Sequence, residues 1–161
     1  MIGKKVSVAD IKIKEVGIFD IETLYKEAKS WFDSKNYTFQ EKEHTEKIRD
    51  IGDEYLIQWV AERKVDGYVK FNIETSFFIR YITKIKIREK QLYKGDMEIT
   101  TKAFLELDYK NNWHTSAIKK FLFNIYSNYI IKEKINDYNS KLDNEVKELL
   151  DIIKSVINIH I

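Results

Sequence analysis

The stretch from Val69 to Ile87 alternates apolar and polar residues along most of its length, and this feature constrains the fold more than any other. Successive side chains of a strand point to opposite faces, so an extended strand here would have one apolar face and one polar, basic face. The same alternation returns from Met97 to Tyr109. The sequence therefore predicts an antiparallel sheet with one buried face, in which the odd-numbered residues of 69–87 lie in the core.

Strand signals before this stretch extend the sheet. Residues 4–16 predict a first strand with a bulge near Ala9-Asp10, because the apolar parity changes there. Residues 40–50 are almost wholly polar, which is typical of an edge strand. Residues 54–65 alternate again, and the Asp66-Gly67 pair that follows them predicts a hairpin turn.

The two long alternating stretches are expected to be interrupted. A strand from Tyr68 to Arg88 would exceed the usual length of about 3–10 residues, so we expect a break or a strong bend near Tyr81-Ile82. We expect the next turn at Lys94-Gly95-Asp96, where a glycine lies between two charged residues. The last strand then covers residues 97–109.

Helical periodicity appears on both sides of the predicted sheet. Asp20 is a predicted N-cap for a short helix over about 20–34. Apolar stripes over 118–130 and 135–157 predict two C-terminal helices that meet at the weak helix formers 136–140, or one long helix that bends there.

These elements predict a single α+β domain spanning residues 1–161, since the sequence contains no internal repeat or linker. Its fold class is an antiparallel sheet of about five to six strands, packed on one short N-terminal helix and a long C-terminal helix pair, either broken into two or continuous with a bend. A hydrophobic content of 43% and a charged content of 34% fit a folded protein.

Composition removes several functional classes. The sequence has no cysteine, which excludes disulfides, thiolate nucleophiles and Cys-ligated zinc. The first residues lack the apolar core of a signal peptide, and no run approaches the roughly 18 apolar residues that a membrane span needs. We therefore expect a cytoplasmic location and no transmembrane segment. A net charge of +2 does not by itself indicate a nucleic-acid partner.

No motif for catalysis, a metal or a cofactor is found in the sequence. It contains no phosphate-binding loop, no glycine-rich dinucleotide turn and no nucleophile elbow. The three histidines, His44, His114 and His160, are far apart. An acidic run around His44 suggests a metal patch, but strand alternation places Glu41 and Glu43 on one face and His44 and Glu46 on the other. We predict no catalytic residue, metal or cofactor, and a binding protein is favoured over an enzyme.

A basic stripe is formed by four residues of even parity: Arg80, Lys84, Lys86 and Arg88. Strand alternation predicts that they stack along one solvent-facing side, where they could hold phosphates of a nucleic acid or of an anionic membrane surface. The competing interpretation is a solvated face whose charges pair with acids on neighbouring strands. This second interpretation is favoured, because the face has few aromatic residues on which bases could stack.

The apolar stripe of residues 135–157 is wider than the two-per-heptad seam of a coiled coil. One sheet face cannot cover this helix and the helix over 118–130 along their full lengths. Some of the stripe would stay exposed, and exposed apolar patches mark contact sites. We therefore predict a homodimer or a dedicated protein partner, with Leu149, Ile153 and Ile157 at the contact.

Two stretches carry a resemblance to known sequences. They are Gly17-Ile18-Phe19-Asp20 with Leu24-Tyr25 and Trp31, and Lys120-Phe121-Leu122 with Ile125-Tyr126 and Tyr129-Ile130-Ile131. In these residues the chain resembles a group of small uncharacterised archaeal proteins of similar length. The sequence departs from that group at Ser116-Ala117, where a proline is common. The resemblance implies an intracellular archaeal source and no known activity, and it assigns no functional residue.

Three functions remain open from the sequence. The favoured one is a non-enzymatic binding or interaction module whose partner is a protein or a second copy. The second is a carrier of an apolar small molecule or lipid, because the order of elements resembles helix-grip folds, which can hold a cavity between helix and sheet. A START-like domain, however, usually has two short helices after its first strand, and only one is found here. The third is nucleic-acid binding through the basic stripe.

Overall fold

The computed structural model describes residues 4–110, 116–126 and 132–157. Along the chain, the elements are β1 (Lys4–Phe19), α1 (Ile21–Ser34), β2 (Thr38–Lys47), β3 (Asp53–Lys64), β4 (Val69–Ile87), β5 (Lys90–Leu107), α2 (Ala117–Tyr126) and α3 (Lys132–Ile157). The protein is therefore α+β, as predicted.

The five strands form one antiparallel sheet in the order β1-β5-β4-β3-β2. The long β4 and β5 lie near the middle, and β1 and β2 are the edges. The predicted edge position of the charged strand is confirmed by β2. A register shift between Ser7 and Ala9 of β1 confirms the predicted bulge close to Ala9.

The predicted face assignment of β4 is confirmed from Val69 to Ile79. Every odd-numbered residue in this range is buried, and the even-numbered ones are half-buried or exposed. Each core residue lies opposite another on the next strand, as Phe71 does with Leu105 and Phe77 with Ile99. Such cross-strand apolar pairs hold the register, because a slip of one residue would turn the core face to solvent.

The expected interruption of β4 is a bulge that the strand continues through. Arg80 pairs with Asp96 and Thr83 with Lys94, so Tyr81 and Ile82 together oppose only Gly95. Tyr81 adopts a positive φ of 55°, and Gly52 (φ 125°) lies so close that an added Cβ would come within 2.7 Å of the Tyr81 Cα. Glycine at position 52 thus makes room for the bulge.

The predicted turn at Lys94-Gly95-Asp96 is wrong, because β5 runs straight through these residues. The chain reverses at Arg88 and Glu89, whose φ values of 50° and 66° fit a two-residue hairpin turn. Gly95 serves a different purpose. A Cβ at this position would lie 2.8 Å from the Arg80 carbonyl oxygen, so the glycine permits a close approach of two strands.

The N-terminal helix forms as its sequence predicts. The Asp20 carboxylate accepts a hydrogen bond from the Thr23 backbone N–H at 3.3 Å, which caps the first turn of α1. The helix buries one stripe of side chains against the sheet. The C-terminal region contains the two predicted helices, α2 and α3, but α3 is continuous through residues 136–140, where the two were expected to meet. The connection between α2 and α3, residues 127–131, lies outside the described residues.

Helices α1 and α3 lie side by side on one face of the sheet. Aromatic rings bridge α1 and the strands, with Phe32 and Phe39 at 5.2 Å, Phe39 and Trp59 at 5.4 Å, and Trp59 and Phe77 at 4.7 Å between centroids. These packed rings occupy the space beside α1 in which a helix-grip carrier would hold its ligand. The opposite side of the sheet, here called the outer face, carries the polar side chains.

Candidate functional site

The three residues predicted to contact a partner belong to the core. Leu149 and Ile153 are 0% exposed and Ile157 is 3% exposed within a single chain. This corrects the expected position of the contact. The sheet does cover only part of the apolar helical surface, as predicted, but the helix it covers is α3. A helix of 26 residues buries more apolar area there than one of 10.

The apolar surface left uncovered is on α2. Every α2 side chain that the structure describes is exposed, including Phe121 at 64%, Leu122 at 50% and Ile125 at 47%. Ile125 lies one turn after both Phe121 (i,i+4) and Leu122 (i,i+3), so these three residues form a continuous apolar surface, here called the α2 face. Sequence periodicity identified the apolar stripe of α2, but it did not show which of the two C-terminal helices would pack against the sheet.

The start of α2 is defined by Ser116. Its hydroxyl accepts a hydrogen bond from the Lys119 backbone N–H at 3.2 Å, and its carbonyl accepts one from Lys120 at 3.0 Å. A serine N-cap of this kind is worth about 1 kcal/mol to a helix.

The cap alone does not account for a stable helix. Isolated helices shorter than about 12–15 residues are marginal in water and normally need a packed apolar side. The apolar side of the sheet is already covered by α1 and α3, and the outer face is polar. Among the described residues, the sheet therefore has no uncovered apolar face for α2.

The charged residues of α2 itself have a single sign. Lys119 and Lys120 are both exposed beside it. The sequence contains no aspartate or glutamate between Asp108 and Glu133. A molecule that meets the α2 face therefore meets apolar side chains and lysines together, with no acidic group in that part of the sequence.

The basic stripe is divided by the bulge in β4. Arg80 pairs with Asp96, whereas Lys84 pairs with Tyr93, three residues away on β5. Residues three apart on a strand point to opposite faces, and cross-strand partners share a face. Arg80 therefore points to the outer face, and Lys84 and Lys86 point to the other. The predicted alternation of faces did not include the extra residue of the bulge, which reverses the alternation for the residues that follow it.

The cations of the stripe also differ in surroundings. The Arg80 guanidinium lies 5.5 Å from the centre of the Phe78 ring and 5.7 Å from that of Tyr81. Lys84, Lys86 and Arg88 are exposed near the hairpin turn, and the described residues offer none of them an ion pair. The nearby Lys90 instead pairs with Asp20. The structure thus keeps three cations together at the hairpin tip and separates Arg80 from them.

A second bulge brings together an acidic cluster that strand parity had separated. The register of β2 shifts between Glu41 and Glu43, so Glu41, His44 and Glu46 share one side. The two ring nitrogens of His44 lie 3.1 Å from Glu41 and from Glu46, one each. The Tyr25 hydroxyl donates to Glu41.

This cluster is a set of hydrogen-bonded side chains at the rim of the sheet. Each ring nitrogen of His44 faces a carboxylate oxygen. Among the residues that the structure describes, no group of three histidines or acids has the geometry to hold a metal. Burial, and the neighbouring Glu41, raise the pKa of Tyr25 above its ordinary value, so the hydroxyl stays protonated and able to donate.

The outer face contains a groove of about 370 Å³ that side chains from all five strands line. Because both edge strands contribute, the sheet is curved across its width. The lining carries both signs of charge, and Lys70 nearby lies 3.3 Å from both Glu62 and Glu106. The groove therefore has no strong preference for ligand charge. Residues at the groove include Lys5, Gln40, Lys42, Glu62, Asn72, Glu74 and Phe104.

Comparison with known proteins adds no assignment. No protein-family model matches the chain, and no curated protein matches it significantly. The resemblance to archaeal proteins therefore stays a prediction. Among the described helices, none is long and apolar enough to cross a membrane.

Proposed function

We propose that the protein is a non-enzymatic interaction module that binds a partner outside its own chain through the α2 face. The observation that carries this proposal is the contrast between two apolar helices of one protein. Ile153 of α3 is fully buried, whereas Phe121 of α2 is 64% exposed. Exposed, contiguous apolar surface of this kind is typical of interaction sites.

The two alternative functions have less support. A carrier of an apolar ligand needs open space between helices and sheet, and beside α1 aromatic rings such as Trp59 and Phe77 pack into that space. Nucleic-acid binding through the basic stripe needs its cations on one surface, and the bulge at Tyr81 places Arg80 and Lys84 on opposite faces.

A matched pair of leucine substitutions tests whether the α2 face is free for a partner. Leu122→Gln changes a half-exposed leucine of α2, and Leu149→Gln makes the same change in the core. We expect Leu122→Gln to shift the free energy of unfolding by less than about 0.5 kcal/mol. Leu149→Gln should cost about 2–5 kcal/mol, because it buries an unpaired amide and removes packing.

Urea unfolding of the two variants and of the wild type measures both values. If Leu122→Gln destabilises the protein as much as Leu149→Gln does, α2 is part of the core in solution and the proposed function fails. This result does not depend on which partner is present.

A further inference from the structure

We infer that the α2 face docks the protein onto an anionic lipid surface. The inference rests on the proposed function and names the partner class for the same site. It joins three observations: an apolar face turned to solvent, lysines beside it, and a helix too short to form a standard protein interface.

The side chains of α2 suit the boundary between lipid headgroups and acyl chains. Phe121, Leu122 and Ile125 are large, apolar and adjacent on one side of the helix. Amphipathic helices that lie in the plane of a membrane bury this kind of face shallowly, with the helix axis parallel to the surface. No spanning segment is needed for this mode of binding.

The charges of α2 favour an anionic partner. Lys119 and Lys120 lie next to the apolar face, and both are exposed. Lysines close to an anionic membrane each contribute to attraction, and acidic residues nearby would oppose it. The sequence from Tyr109 to Lys132 contains no acidic residue to do so.

The size of the α2 face argues against a second copy as its partner. A helix of 10 residues is about 15 Å long. Stable protein interfaces bury roughly 800 Å² on each partner, more than the three described side chains of the α2 face supply by themselves. Two α2 helices placed face to face would also bring their lysine pairs near one another. A lipid surface requires no shape match and presents the opposite charge.

Vesicle flotation with the full chain tests the inference. The probes are vesicles of phosphatidylcholine alone and vesicles of phosphatidylcholine mixed with phosphatidylglycerol. We expect the wild type to float with the anionic vesicles and not with the neutral ones, and added salt to weaken binding. Leu122→Gln with Ile125→Gln, and separately Lys119→Glu with Lys120→Glu, should each lower the partition coefficient roughly tenfold or more.

The matched control places the same charge change elsewhere. Lys84→Glu with Lys86→Glu alters two exposed lysines of β4 beside the hairpin turn. That turn precedes β5, whereas the segment that leads to α2 follows it. Binding to anionic vesicles should be retained in this variant. An equal loss in this control would show that overall charge, and not α2, binds the vesicles, and would overturn the inference.

Other outcomes also contradict the inference. Absence of flotation with anionic vesicles overturns it, as does equal binding to both vesicle types. A molecular mass in solution that doubles with concentration, and stays monomeric for the Leu122→Gln and Ile125→Gln variant, would identify a second copy as the partner. If Leu122→Gln leaves the free energy of unfolding unchanged in these cases, the proposal of an interaction module is retained and only the lipid surface is rejected as its partner.

Discussion

Arg63 on β3 and Glu145 on α3 form a bidentate ion pair, with Nη1–Oε1 at 2.8 Å and Nη2–Oε2 at 3.0 Å. The Tyr37 hydroxyl donates to the same carboxylate at 3.0 Å, and the guanidinium lies 4.7 Å from the centre of the Tyr37 ring. The two charged side chains are 14% and 7% exposed. This pair therefore fixes α3 on the sheet through a specific, largely buried contact.

Removing both partners of this pair should destabilise the protein by less than the sum of the two separate removals. Arg63→Met or Glu145→Leu alone leaves a largely buried charge without its partner, at a cost of about 3–5 kcal/mol. The double variant should cost clearly less than the sum of the two, because neither charge remains. Urea unfolding of the four proteins gives the coupling energy. Additive costs would mean that the two groups do not interact in solution.

The face assignment of β4 can be checked with two alanine substitutions. Phe71 is fully buried, so Phe71→Ala should cost about 3–5 kcal/mol from lost packing and the cavity left behind. Glu74 is exposed on the outer face of the same stretch, and Glu74→Ala should stay within about 0.5 kcal/mol of the wild type. Thermal unfolding midpoints report both changes. Similar shifts for the two variants would show that the register of β4 is wrong.

The cap of α1 should make stability depend on pH. Burial alone would raise the pKa of Asp20, but hydrogen bonds from Lys90 and Thr23 outweigh burial and hold this pKa below its ordinary value. A carboxylate with a lowered pKa stabilises the fold above the pKa it has in the unfolded chain. That stability is lost as the pH falls through the lower, folded-state pKa.

Two substitutions at Asp20 separate charge from capping. Asp20→Asn keeps a capping oxygen and removes the charge, and Asp20→Ala removes both, at a further cost of about 1 kcal/mol. Unfolding measured across acidic pH should show the wild type losing its advantage over Asp20→Asn as the carboxyl group protonates. An advantage that stays constant with pH would contradict the assigned role of the charge.

The divided basic stripe should not bind nucleic acid tightly. With Lys84 and Lys86 on the face opposite Arg80, fewer cations can reach one phosphate backbone. We expect weak binding of short duplexes and single strands near physiological salt, measured by fluorescence anisotropy. Tight, salt-sensitive binding that disappears in Lys84→Glu with Lys86→Glu would instead make the hairpin tip a nucleic-acid site.

Local signals in the sequence predicted local structure well. The cap at Asp20 and the alternation from Val69 to Ile79 depend on neighbouring residues, and the structure confirms both. The turn placed at Gly95 failed for a long-range reason. That glycine meets the Arg80 carbonyl of another strand, and the sequence does not show which residues will face each other.

The candidate site was less predictable than the fold. Apolar periodicity is present in both C-terminal helices, and the choice between them depends on the area each can bury and on contacts such as that of Arg63 with Glu145. The pairing of Glu41 with His44 was missed because a single extra residue in β2 reverses the parity of everything after it.

Because of the bulge at Tyr81, inserting a single residue would change the face on which the cations of the hairpin lie. Tyr81 and Ile82 of β4 now share Gly95 as their only counterpart on β5. Inserting one residue beside Gly95 would give each of them its own partner, and the two strands would pair without a bulge. Lys84 would then turn to the side of Arg80, and two small cationic patches would become one continuous band. Tyr93 would leave its contact with Tyr55, 5.9 Å between ring centres, as the cost of that change. An insertion, rather than any substitution, is thus the shortest mutational route from this protein to one with an uninterrupted phosphate-binding strand.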